Sequence, residues 1–399
     1  MKIVCGYFPP FEADVSKLMI TGGDRRFIEI SKRLIGLGAN IYIIATPTGA
    51  KFLQKEELTD AKFDVIQLGP ITSKLLSLFK FNWNLHLLTS YFLSIILSFK
   101  RVLSFSNSDV FYSQSDFPTD TIPAYLYKKF HKGSKWVAVT YQRIPFPWRR
   151  PGNLFMNFFS FAAQQFSYRL FKSSDLVLIN ETNEGVYVNG LLEKIGVPSK
   201  NIVSVKLGVD VKFISQVKAP EKEFDACFVA ALGPARGLYD IVPVWKLVTE
   251  VKPDAKLAVI GKGSVGYESE LKKEIHSAGL DENIKMLGYL RGNKLYEAIK
   301  SSRIFVGFNR EGSWGIGVCE GMACGLPVIV YDLKAYSVFS QEILKVPLGD
   351  VNAFAKKILE LIEDPVLIEK LGKGGQELIK SMDWDSIANT EFALLSKLK

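Results

Sequence analysis

Lys2–Ala45 reads KIVCGYFPPFEADVSKLMITGGDRRFIEISKRLIGLGANIYIIA. Lys2–Cys5 is a β-branched run of strand length. A glycine-bearing loop follows it, and across Arg26–Leu37 the residues Phe27, Ile30, Leu34 and Leu37 then recur at helical spacing. Gly38 supplies the stop signal. Asn40–Ala45 is a short continuous apolar run, the kind that a parallel sheet buries on both faces. The stretch is therefore one strand–helix–strand unit, and its pattern extends outward. Asp109–Tyr112, Trp136–Thr140 and Asp175–Asn180 (DLVLIN) are further strands with helical stretches between them.

A second series repeats the first. Asn201–Val205 is a strand, Lys206-Leu-Gly-Val-Asp210 follows, and the polar passage to Glu223 reads as a linker. Phe224–Ala231, Lys256–Ile260, Ile284–Leu287, Ile304–Gly307 and Pro327–Val330 then alternate with helical patterns at Leu238–Val251, Tyr267–Gly279, Gly292–Ser301, Gly315–Cys324 and Val351–Leu361. The expected fold class is α/β: two Rossmann-like, doubly wound parallel-sheet domains facing a central cleft. The domains are expected at 1–207 and 208–382, with 383–399 a terminal helix packing back toward the first domain. Asp383 is expected to cap that helix and Trp384 to pack under it. Ligands of such sheets bind outside the carboxyl ends of the strands, and a cleft between two domains is where two substrates would meet.

Composition removes several classes of function. Of the 399 residues, 48% are hydrophobic and 23% charged, too apolar a mixture for disorder. Cys5, Cys227, Cys319 and Cys324 form no Cys-x-x-Cys pair and there are three His, so neither a disulfide framework nor a zinc site is indicated. The start MKIVCGYFPP lacks the apolar core of a secretory signal. Net charge is +9, and Val65–Ser174, with 13 basic and three acidic residues, carries the whole excess. Thr121–Ser174 has nine basic residues and no acidic one, interleaved with rings such as Tyr125, Phe130, Trp148 and Phe158. Basic side chains with aromatic rings suit an anionic membrane surface. Single-stranded nucleic acid would accept the same mixture and ranks behind it. The expected location is cytoplasmic, peripheral on the inner face of the cell membrane, with no nucleic-acid partner. Phe81–Phe99 has no charge. His86, Ser90, Ser94 and Ser98 line one side of it, and Leu85, Leu88, Phe92, Ile95 and Phe99 the other. Three readings stay open for it: a core-packed helix, a helix lying in the membrane interface, and a span.

Three loops could carry chemistry. Thr21-Gly22-Gly23-Asp24 opens a helix, where paired glycines let backbone amides approach a phosphate. Gly261-Lys-Gly263-Ser-Val-Gly266 has the dinucleotide spacing but follows the second strand of its half, and the next strand ends in Gly288 instead of an acid, which argues against a nicotinamide site. The densest signal is Asn309-Arg310-Glu311-Gly-Ser-Trp-Gly315-Ile316-Gly-Val-Cys-Glu320-Gly-Met-Ala-Cys-Gly325-Leu-Pro327-Val-Ile-Val. It places an acid, a glycine loop, a helix start with a second acid and then Gly-x-Pro into a strand. Carboxylates accept hydrogen bonds from sugar hydroxyls and helix-end amides hold phosphate oxygens, so one loop could grip both ends of a nucleotide sugar.

These motifs resemble the family-4 retaining glycosyltransferases of the GT-B fold, along nearly the full chain. Phe228-Val-Ala-Ala-Leu-Gly-Pro-Ala-Arg236-Gly237 is similar to the family's Phe-Val-Gly-Arg-Leu...Lys-Gly, in which Arg and Lys bind the donor diphosphate. Arg236 matches the Lys and Ala231 stands where the Arg would be, so the second contact is missing or comes from Arg310 or Lys262. Glu311 and Glu320 resemble the family's Glu-x7-Glu with eight residues between them here, so either the loop carries an insertion or Gly312 occupies the first Glu position. Lys206-Leu-Gly208-Val-Asp210 is similar to the family's hinge motif, and Gly22-Gly23 to its N-terminal diphosphate loop. Val139-Thr140-Tyr141-Gln142-Arg143 occupies the place of an acceptor-side Thr-x-His or His-His, with Gln142 for the His. Glutamine hydrogen-bonds a hydroxyl but takes no proton.

The resemblance implies a transferase that moves a sugar from a nucleotide-diphosphate sugar to a lipid-linked or surface glycan acceptor, without a metal or further cofactor. Glu311, Arg236 and Gln142 are its implied catalytic residues, and Gly22, Gly23, Arg236, Gly263, Glu311, Gly315, Ile316 and Glu320 its implied donor contacts. Asp383-Trp-Asp385 has metal-site spacing but reads as a helix cap. A non-catalytic GT-B scaffold beside an active transferase and a nucleotide-sugar epimerase are the rival readings.

Overall fold

The computed structural model describes the chain except for residues 16, 17, 19, 20, 106, 107, 142, 151, 152, 207, 312–314 and 399. It divides into two compact units, Met1–Lys206 joined by Ile387–Lys399, and Leu207–Ser386.

Among the described residues the first unit has seven strands: β1 (Lys2–Tyr7), β2 (Asn40–Ala45), β3 (Lys62–Val65), β4 (Val110–Ser113), β5 (Lys135–Thr140), β6 (Leu176–Asn180) and β7 (Ile202–Val205). They lie in the order β3-β2-β1-β4-β5-β6-β7, and every pairing is parallel. β4 is buried at all four positions and β6 at all five, which accounts for their uninterrupted apolar sequences. Strand order reverses beside β1, so the carboxyl ends of β1 and β4 flank the switch point. Thr21 caps the following helix, Gly22–Gly36, through a capping box with Asp24.

The helix Trp83–Ser104 differs from an ordinary core helix. Its inward row is His86, Ser90, Ser94 and Ser98 with Leu93 and Val102. Trp83, Phe92, Ile96, Phe99 and Leu103 point outward. Small side chains let it lie close on the helix Pro118–Phe130, and the Ser90 hydroxyl accepts a 2.7 Å bond from the Phe11 N–H. Apolar periodicity alone suggests the opposite orientation.

The last helix, Trp384–Lys397, returns the chain to the first unit. Asp383 precedes it and accepts bonds from the N–H groups of Asp385 and Val211, at 2.8 and 3.0 Å, and Trp384 is buried. Arg26 pairs with Glu391, both fully buried, and Arg26 also donates to the Tyr112 hydroxyl at 2.8 Å. Burial opposes the charge on Arg26, but Glu391 and Tyr112 outweigh it and hold the guanidinium protonated.

The second unit has six strands among the described residues: β8 (Phe224–Val229), β9 (Leu257–Ile260), β10 (Ile284–Gly288), β11 (Ser302–Gly307), β12 (Val328–Tyr331) and β13 (Leu344–Val346). Their order is β10-β9-β8-β11-β12-β13, all parallel. Phe228, Trp245, Phe308 and Phe354 anchor its core. The switch point lies between β8 and β11.

Candidate functional site

The chain leaving β8 does not run straight into a helix. Gly233 precedes a single 3-10 turn, Pro234–Arg236, and a second turn, Leu238–Asp240, precedes the helix Ile241–Val251. Gly237 separates the turns at φ 78°, and a Cβ there would lie 2.0 Å from the Phe308 carbonyl oxygen. Only glycine lets this turn seat on the end of β11. The chain leaving β11 closes onto the same turn: the N–H groups of Arg310 and Glu311 both donate to the Ala235 carbonyl, at 3.0 and 3.3 Å. Arg236 and Glu311, far apart in sequence, are thus held beside one carbonyl at the switch point.

Gly315, at φ 66°, opens the helix Ile316–Ala323. A Cβ on Gly315 would lie 3.1 Å from the Tyr336 hydroxyl, which accepts a 2.9 Å bond from the Asn309 amide. Burial pushes the Tyr336 phenol up to about 12, against the Asn309 bond and the nearby charge of Arg236. The first-turn amides of this helix, Ile316 and Gly317, give its end partial positive charge. Glu320 lies one turn further on, 6% exposed, and accepts a 3.0 Å bond from the Tyr296 hydroxyl.

Arg310 is already engaged. Its Nε and Nη2 form a fork on Asp240, at 2.6 and 2.5 Å, and Asp240 is buried. That pair braces the end of β11 against the second turn, so the expectation that Arg310 replaces the missing diphosphate arginine is not supported by its geometry. Gly261 and Gly263 also have a structural reason. A Cβ at either would approach a carbonyl, Ala230 at 1.8 Å or Leu232 at 2.7 Å, because the loops after β8 and β9 pair through a bridge at Leu232 and Gly263.

In the first unit, Gly22 and Gly23 form the first turn of their helix, and the Tyr7 hydroxyl donates to Asp24 at 2.8 Å. A Cβ on Gly23 would make ordinary contacts with the Tyr141 ring at 3.4 Å and the Thr21 hydroxyl at 3.8 Å, so neither neighbour requires glycine there. Two carboxylates occupy the end of β4. Asp116 accepts from the Thr140 hydroxyl at 2.5 Å and the Gln164 amide at 2.9 Å, and Asp120 accepts from Ser115. Burial pushes Asp120 up to about 7, the Ser115 bond opposing and the charges of Asp116 and Asp24 adding. Gln142 lies outside the described residues. Among those described, no group of three or more His, Cys, Asp or Glu side chains is placed to hold a metal ion.

Residues 210–378 match the family described as glycosyl transferases group 1. That stretch is similar to a group 1 glycosyl transferase domain. The phosphatidyl-myo-inositol mannosyltransferase of Mycobacterium leprae is 29% identical over 164 residues, covering 39% of this chain and 41% of that protein. A GDP-mannose-dependent monoacylated alpha-(1-6)-phosphatidylinositol monomannoside mannosyltransferase of Corynebacterium glutamicum is 28% identical over 163 residues, 38% of this chain and 41% of that one. The chain thus spans about two fifths of the length of these curated relatives. The crystal structure of Anabaena HepE with UDP and glucose superposes with a TM-score of 0.74 at 16% identity, covering 99% of both chains. Both sheets therefore belong to a GT-B fold.

Within the matched stretch, backbone bonds hold Glu311 beside Arg236 at the ends of β8 and β11, the helix that Gly315 opens packs its Gly317 against the Val229 carbonyl at the end of β8, Glu320 lies one helical turn further on, and Gly263 is on the adjoining loop. Gly22 and Gly23 belong to the other unit. Sequence motifs did not reveal Tyr296, Asn309, Tyr336 or Asp240, which hold this arrangement. Only Asn309 carried a local signal, as the residue that opens the acid–glycine loop.

Proposed function

We infer that the protein is a retaining glycosyltransferase that moves a sugar from a nucleotide-diphosphate sugar to a hydroxyl of a lipid-linked or surface glycan acceptor, at the cytoplasmic face of a membrane. The observation that carries this reading is the shared Ala235 carbonyl, which sets Arg236 and Glu311 together beside the end of the Ile316–Ala323 helix. As the bond between the sugar C1 and the diphosphate oxygen breaks, negative charge grows on the diphosphate. Arg236 and the amides of Ile316 and Gly317 stabilise that charge. Glu320 accepts the ribose hydroxyls and Glu311 a hydroxyl of the transferred sugar. The acceptor oxygen attacks C1 from the face that the diphosphate leaves, and the acceptor proton passes to a diphosphate oxygen. Gln142 hydrogen-bonds a hydroxyl and takes no proton, so the leaving group serves as the base. The reading requires neither metal nor further cofactor.

The named substrates of the mannosyltransferase relatives and the UDP in HepE set the donors to try first. A thermal-shift series with uridine, guanosine and adenosine diphosphate sugars selects the donor, since a ligand bound only by the native state raises its stability. With that donor, Arg236→Ala should lower the release of nucleoside diphosphate by about 100-fold, the usual loss for one transition-state donor, and Glu320→Gln, which weakens the ribose contact, should raise the donor KM by about tenfold, both with unchanged thermal midpoints. Full activity in both variants rejects the assignment.

A further inference from the structure

Two helices of the first unit turn their polar rows inward and their apolar rows outward. In Trp83–Ser104 the outward row includes Trp83 and Phe92, each 59% exposed, and Ile96, 48% exposed. In Leu154–Leu170 it includes Phe155 and Phe158, 62% and 61% exposed, while Asn157, Gln164 and Ser167 are buried. Hydrogen bonds fix this orientation. Ser90 accepts from the Phe11 N–H, Gln164 accepts from the Ile144 N–H at 2.7 Å, and Ser167 bonds Thr121 at 2.9 Å. Neither helix can roll to hide its apolar row without breaking them. Ring contacts join the two helices, from Tyr91 to Phe117 at 5.4 Å and from Phe117 to Phe159 at 6.2 Å. Lys100, Lys129, Lys132 and Arg169 are exposed in the same segment, and Thr121–Ser174 contains no acidic residue.

We propose that these two helices lie in the interface of an anionic bilayer, parallel to its plane, with Trp83, Phe92, Ile96, Phe155 and Phe158 among the acyl chains and the lysines and arginines at the headgroups. This rests on the membrane part of the reading above and adds which side chains enter. The 22 residues of Trp83–Ser104 rise about 33 Å, long enough to span. A span would strip Ser90 and His86 from Phe11 and carry the polar row into hydrocarbon, so the helix lies flat. A second copy of the same face would set like charge against like charge, whereas anionic headgroups complement it.

The test is co-sedimentation of the full chain with vesicles of phosphatidylcholine alone and with added phosphatidylglycerol. Phe92→Ser/Ile96→Ser and Phe155→Ser/Phe158→Ser alter exposed positions on separate helices, so each pair checks the other. Each should weaken partition into the anionic vesicles by about tenfold or more. In a Trp148→Phe background, brominated acyl chains should quench Trp83. Anionic vesicle binding that ignores both pairs, with Trp83 unquenched, overturns this inference and leaves the membrane reading standing. No vesicle binding, with self-association that both pairs abolish, overturns the two together. Donor consumption by the same variants on a water-soluble acceptor stays at the wild-type rate if the transfer reading holds, which separates its failure from that of the membrane claims.

Discussion

Asp120 shows what burial does to a single side chain. Its carboxyl moves from 3.8 to about 7, so the folded chain keeps a proton that the unfolded chain has already released. The contribution of a raised acid is fully present below about pH 4 and is lost as pH rises through about 7. Asp120→Asn should flatten that decline. Urea midpoints of the first unit at about pH 5 and about pH 8 measure it: the wild type should lose more between the two values than the variant, and equal losses would reject the shift. Ser115-Asp116-Phe-Pro-Thr-Asp120 is visible in the sequence, but its burial is not, because the lid over it comes from Gln164 and Tyr168 on a distant helix.

At the scale of elements, most strands were legible because parallel strands buried on both faces must be apolar throughout. The helical pattern at Leu238–Val251 begins three residues ahead of the observed helix, Ile241–Val251. Gly237 at φ 78° breaks the chain into two turns before Ile241, and no local pattern distinguishes such a seat from a helix start. Gly237→Ala should drive this turn off Phe308 and displace Arg236. Donor affinity should fall at least tenfold, with about 1–3 kcal/mol lost from the second unit. Calorimetric donor titration beside a denaturation curve checks both, and unchanged donor affinity would remove the turn from the site. Helix orientation was the least legible feature. Periodicity located both rows of Trp83–Ser104, but which row faces inward depends on Phe11 and the Pro118–Phe130 helix.

Over the whole molecule, the chain begins in the first unit, passes through the second and returns through Trp384–Lys397. The Arg26–Glu391 pair fastens that return within the first unit. Glu391→Ala leaves a buried guanidinium without its counter-ion and should destabilise the first unit by roughly 3–5 kcal/mol, while Arg26→Met/Glu391→Leu should recover most of the loss. Hydrogen exchange reads the units separately: faster exchange in Met1–Lys206 with Leu207–Ser386 unchanged is the expected result. Equal acceleration in both would contradict it.

Sequence by itself determined the alternation of strands and helices, the two-part division, the acid–glycine motif around Glu320 and the confinement of the net positive charge to one segment. Those are properties of neighbours along the chain, fixed by periodicity, composition and glycine. Tertiary structure alone decided that Ala235 draws Arg236 to Glu311, that Asp240 occupies Arg310, that Glu391 neutralises Arg26 and that two helices turn their rings outward. Each depends on a partner supplied by a remote element, and burial changes the free energy of a charge or a ring only once that partner is in place.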